Sequence, residues 1–206
     1  MRTSLLLLAT IAVLGFVART RAADTKVLWE IGRIDGSNAE FALAPDGYAR
    51  FAEDGFFVVG RSDPSKDWPY VHPGPSDSWA GTSSRMFTVV WGLAGAGGDG
   101  TCRLRVALLD AHAGGPPRLT FRVNGHAFER SLSPGAGDAS VQGKPETGKK
   151  QTVEVEFPAN LLVDGANELR ITSVAGSWML YDGLVLEGPE TLRPTRDVVS
   201  TVVDTA

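Results

Sequence analysis

Apolar residues in this chain come in short runs, cut apart by Gly, Pro, Asp and Asn, and several runs alternate with polar residues. Leu104, Val106 and Leu108 alternate with Arg103, Arg105 and Ala107. Leu119, Phe121 and Val123 alternate with Thr120 and Arg122, and Val153, Val155 and Phe157 with Glu154 and Glu156. A period of two puts each apolar set on one face of a half-buried strand. Residues 27–31, 56–60, 86–93, 169–173 and 178–187 read as further strands. Asn124-Gly125 predicts a tight hairpin with 127–132 returning, because both central residues of a type I′ turn need φ > 0. No amphipathic helix longer than about ten residues appears, against an ordinary mean of about 11–12. Many short strands at turn-separated spacing predict an all-β chain folded as a β-sandwich.

The N-terminus reads differently. Arg2 precedes an apolar run over 5–17, and the small residues Thr20, Ala22 and Ala23 follow. That run is too short to span a bilayer comfortably, which takes roughly 20 residues. It reads as a cleavable secretory signal over 1–22, giving a secreted or periplasmic protein. Residues 23–188 are then one β-sandwich, and 189–206, lacking large aromatics, a flexible tail. Of 20 Lys and Arg, removing Arg2, Arg19 and Arg21 leaves 17 against 24 Asp and Glu. No basic stripe survives, so neither nucleic acid nor an anionic membrane is an expected partner. Cys102 is the only cysteine, so no intrachain disulfide can form, and its apolar surroundings read as core. Residues 133–151, rich in Gly, Pro, Ser and Lys, read as a surface loop.

Residues 62–81, S-D-P-S-K-D-W-P-Y-V-H-P-G-P-S-D-S-W-A-G, have no hydrophobic period. Pro64, Pro69, Pro73 and Pro75 exclude a central strand. A long, stiff, aromatic loop of this kind is usually functional or disordered, and three large aromatics argue against disorder. Flat apolar faces beside carboxylates suit a polar ring such as a sugar. Trp68, Tyr70 and Trp79 are the candidate stacking walls, with Asp67 and Asp77 as hydrogen-bonding partners. The competing reading makes one or both tryptophans core plugs, since tryptophan is buried on average. Two stacking contacts would supply about 4 kcal/mol before ordering costs, near the binding energy of a millimolar Kd. Asp63 and Asp35 read as turn residues, and Asn167 as a tie to loop backbone.

Five segments in order carry a resemblance: W-E-I-G-R-I-D-G-S-N-A-E-F (29–41), V-G-R-S-D-P-S-K-D-W-P-Y (59–70), D-S-W-A-G (77–81), D-G-A-N-E-L-R-I (164–171) and W-M-L-Y-D-G-L-V-L-E (178–187). Together they resemble the carbohydrate-binding-module-like third domain of rhamnogalacturonan lyases, polysaccharide lyase family four, over about residues 27–188. The resemblance implies a jelly roll of the galactose-binding-like type, with two antiparallel sheets face to face. In those lyases the catalytic residues lie in a separate preceding domain, so it carries over the module and not the chemistry. It implies a non-catalytic module recognising a plant or algal cell-wall polysaccharide such as rhamnogalacturonan. The alternatives are an adaptor docking onto a polysaccharide-degrading enzyme, and a weak lyase using Lys66 or His72.

No cofactor is expected beyond a structural calcium, which jelly rolls of this type often hold between first and last strands. Glu30, Glu187 and Asp182 are its candidate ligands, though no spaced acidic ligand loop is present. His72, His112 and His126 show no metal-binding spacing, and there is no G-x-S-x-G elbow.

Overall fold

Strict alternation folds into strands as expected. In the computed structural model, which describes residues 25–196, eleven strands build two facing sheets, a jelly-roll β-sandwich. One sheet orders β1 (Thr25–Gly32), β10 (Met179–Pro189), β5 (Thr101–Ala111) and β8 (Gln151–Pro158). The two-residue β3 (Val71–His72) also pairs with β10. The other sheet orders β11 (Arg193–Thr195), β4 (Arg85–Ala94), β9 (Gly165–Ala175), β6 (Arg118–Val123) and β7 (His126–Ser131), with β2 (Phe56–Val58) also on β4. The pairing is antiparallel except for β2, which runs parallel to β4 with Phe56 opposite Thr88. The Asn124-Gly125 turn has φ of 45° and 87°, the positive pair its hairpin requires.

Leu104, Val106 and Leu108 on β5 and Leu119, Phe121 and Val123 on β6 all lie in the core between the sheets. Cys102 is buried there too, and burial pushes its thiol up to about 11. Among the described residues no helix is long and apolar enough to cross a membrane.

Register fixes which loops share an end. Arg118 pairs with Ala175, Arg85 with Ser173, and Met179 with Ala111. The segments before β4, between β5 and β6, and between β9 and β10 therefore gather at one end of the sandwich. Thr25 opposite Pro189 and Arg193 opposite Ala94 lie at the other.

One expectation changes. The tail does not begin to fray at 189: Leu192 is fully buried and Arg193–Thr195 pair with β4. An apolar side chain three residues past β10 is enough to fold the chain back onto the sheet edge. Residues 197–206, like the expected signal over 1–22, lie outside the described residues. The 133–150 loop is tied down from beneath. Buried Asp110 accepts from the Ala136 amide (2.9 Å), the Lys149 amide (3.1 Å) and the Ser140 hydroxyl (2.6 Å).

An aromatic knot closes the loop end. The Trp68 ring lies 5.1 Å from Phe87 of β4, 5.5 Å from Tyr181 of β10 and 6.3 Å from Phe57 of β2. His72 stacks on Phe87 at 4.0 Å. Its Nε2 lies 3.0 Å from the Arg85 carbonyl and its Nδ1 2.8 Å from the Tyr181 hydroxyl. The carbonyl can only accept, so Nε2 carries a proton, and in the neutral ring Nδ1 then accepts from the phenol. Burial lowers the His72 pKa to about 4, against an ordinary 6.5. The unfolded chain thus takes up a proton that the fold refuses. This contribution to stability is complete above about pH 6.5 and is lost as pH falls through the folded value, roughly 3 kcal/mol in all. Urea unfolding at pH 7 and at pH 4.5 should show this loss in the native chain. In His72→Gln the pH dependence over that window should be shallower, whatever the variant's absolute stability.

Candidate functional site

The loops gathered at one end enclose a cleft of about 520 Å³. Tyr48 and Trp79 line it from the segments before β4. His112, Gly114 and Gly115 come from the turn after β5, Ser177 and Trp178 from the turn before β10, and Asp138, Val141 and Gln142 from the Asp110-tied loop. Each wall has an aromatic pair crossed nearly at right angles. Tyr48 meets Trp79 at 5.2 Å and 86°, and His112 meets Trp178 at 5.7 Å and 90°. Phe51 crosses Trp79 as well, at 6.3 Å and 89°, fixing the indole plane.

Asp77 is buried and lines the cleft. Its Oδ2 accepts from the Gly74 amide (2.8 Å) and its Oδ1 from the Ser177 hydroxyl. Burial pushes its carboxyl above the ordinary carboxylate range, opposed by those two hydrogen bonds. Gly74 is required here: a Cβ on it would stand 2.4 Å from the Gly176 carbonyl oxygen. Only a residue without a side chain lets the 74–77 turn lie flat on 176–177 and bring Asp77 to Ser177. The His112 Nδ1 accepts from the Gly115 amide at 2.9 Å, so the neutral ring carries its proton on Nε2 as a donor. The cleft thus offers aromatic faces, a carboxylate, an imidazole N–H, a hydroxyl and an amide, which is the means of holding a hydroxylated ring.

The structure divides the five residues singled out from the sequence. Trp79 and Asp77 line the cleft. Trp68 and Tyr70 do not: both are 0% exposed and present no face to a ligand. Trp68 is the centre of the aromatic knot, so its core reading is the correct one. Tyr70 works from behind the wall. Its hydroxyl donates to the Val141 carbonyl at 2.6 Å, holding the 138–142 loop in place, and burial raises its pKa. Asp67 lies outside the cleft lining, and its Oδ2 accepts from the Asp63 amide (2.8 Å) across the one-turn helix α1 (Pro64–Asp67). Asp63 caps the same turn through the Ser65 amide (3.0 Å), as a turn residue should. Asn167 ties its own loop through Val163 (2.9 and 2.8 Å), and Asp35 bonds the Ser37 amide (3.0 Å).

The calcium candidates are not assembled. Asp182 accepts from the Asp35 and Gly36 amides (3.2 and 2.8 Å). Glu187 lies 3.8 Å from Arg105, and Glu30 is exposed opposite Val185. Among the described residues no group of three His, Cys, Asp or Glu is placed to hold a metal ion, so these side chains do not fit one. The two bases considered for a lyase are also separated in environment, with His72 enclosed and Lys66 exposed beside Asp63 (3.6 Å).

Sequence reasoning missed Tyr48, His112 and Trp178. The usable signal was an aromatic beside a Gly-rich turn: H-A-G-G-P-P over 112–117 and G-S-W over 176–178.

Residues 27–186 match the model of a family described as CBM-like, polysaccharide lyase family 4, domain III. No curated protein sequence matches the chain. Similar solved structures include a family 35 carbohydrate-binding module from Cellvibrio japonicus (16% identity over 87% of this chain and 95% of that one, TM-score 0.36). Another is a family 35 module in complex with a glucuronic acid containing disaccharide (16% identity, 85% and 94%, TM-score 0.36). At such scores the fold assignment rests on the chain's own sheets and the family match.

Truncation should separate the two tryptophans. Trp68→Ala should lower the unfolding free energy by about 3–5 kcal/mol. Trp79→Ala, losing mainly its crossed pairs, should cost about 1–2 kcal/mol. Denaturant titration of both variants checks the difference.

Proposed function

The chain belongs to the CBM-like family of polysaccharide lyase family 4, domain III, and from that premise we propose that it binds carbohydrate, without cleaving it, in the cleft between Trp79 and Trp178. One observation carries this reading: fixed aromatic planes and polar side chains converge on one open cleft at the loop end. Trp79 is half-buried, so part of its indole remains open to a ligand. Covering about 80 Å² of it is worth roughly 2 kcal/mol. Asp77 lines the cleft, and its carboxylate can accept a sugar hydroxyl for about 1.5–3 kcal/mol. Less ordering costs, this gives weak affinity per site, useful on a polymer with many repeats. A plant or algal cell-wall polysaccharide is the ligand class the family suggests. Export through the 1–22 segment would place the module where such polymers are met.

Affinity electrophoresis of the protein in gels containing plant and algal polysaccharides tests this. Retardation by at least one polymer is expected, lost in Trp79→Ala and kept in Asp67→Asn. If no polymer retards the protein, the adaptor reading, docking onto a polysaccharide-degrading enzyme, takes its place. If Trp79→Ala is retarded as the parent is, the cleft is the wrong site.

A further inference from the structure

The charges around the cleft are one-sided. Its ionisable lining is Asp77, Asp138, His112 and Tyr48, with no lysine or arginine. Asp46, just outside, approaches the same loop, since a Cβ on Gly143 would stand 3.2 Å from the Asp46 Cβ. Three basic residues of the flanking loops are turned to other work. Arg50 folds back against Gly47, and the Lys150 ammonium lies over Gly36. The Lys149 ammonium donates to the Pro134 carbonyl at 3.1 Å, and Lys144 is exposed and outside the lining. A carboxylate ligand would thus leave water for a site holding two carboxylates and no cation to receive it.

Resting on the carbohydrate reading, we propose that this cleft selects uncharged sugar units and rejects uronates, which sets aside the uronate-bearing backbone of a rhamnogalacturonan as its ligand. Asp77 is the attractive part, an acceptor for hydroxyls held by Gly74 and Ser177. Asp138, exposed at the rim, is the repulsive part. Like charges brought together across an interface suppress the wrong partner, and selectivity commonly combines such repulsion with attraction.

The test starts from whichever neutral polysaccharide retards the protein most strongly. Its primary hydroxyls are oxidised to carboxylates, and both forms are compared in low-salt, mildly alkaline gels. The oxidised polymer should bind about tenfold more weakly or worse. The gap should narrow as salt rises, because screening acts on charge and not on shape. It should narrow in Asp138→Asn as well. Equal or tighter binding of the oxidised form overturns the proposal, and so does a gap indifferent to salt and to Asp138. Retardation only by uronate polymers overturns it too, while leaving carbohydrate binding standing. Retardation by nothing at all overturns both.

Discussion

The loop end of this sandwich hangs on one buried indole. Trp68 leaves α1 just before Pro69 and meets rings from β2, β4 and β10, so one side chain joins both sheets where no hydrogen-bond ladder crosses between them. The Phe87 it touches also stacks on His72 and lies parallel to Phe51 at 6.2 Å. Phe51 in turn crosses Trp79. Close-packed rings transmit position, because interiors are as dense as organic crystals and a displaced ring displaces its neighbours. The orientation of the half-buried indole in the cleft is thus inherited from the buried one.

A second line of support is polar. Asp110, at the end of β5, spends its carboxylate on Ala136, Ser140 and Lys149, and Tyr70 holds Val141. A 19-residue stretch from 133 to 151 with little regular structure would otherwise make a poor wall. A charged acceptor buried beneath backbone amides is expensive to leave unpaired, which is why such anchors define one loop conformation.

How much of this the sequence disclosed follows from the range of the forces involved. Strands were legible because alternation is local: Leu104, Val106 and Leu108 declare a face whatever packs on it. The Asn124-Gly125 turn was legible because its backbone angles demand those residues. Trp68 and Trp79 were not separable, since they sit eleven positions apart in one proline-rich loop with similar neighbours. Their fates are decided by what the loop crosses. The residue after Trp68, Pro69, bridges to Ala42, and the Tyr70 amide bonds the Ala42 carbonyl, drawing that half of the loop inward. Trp79 lies on a 3-10 turn (Ser78–Ala80) that stays at the rim. The far wall of the cleft was hidden for the same reason, because it is assembled from three turns more than thirty residues from Trp79.

The register of β1 has an outcome for anything joined to this domain. Thr25 lies against Pro189, at the end of the sandwich remote from the cleft. A module or surface attached through the chain ahead of Thr25 would grip the domain by its back. The open mouth would face away from the tether, like a hand at the end of an arm. Tension along that arm would load the β1–β10 ladder lengthwise, so that its hydrogen bonds share the pull and do not peel one by one.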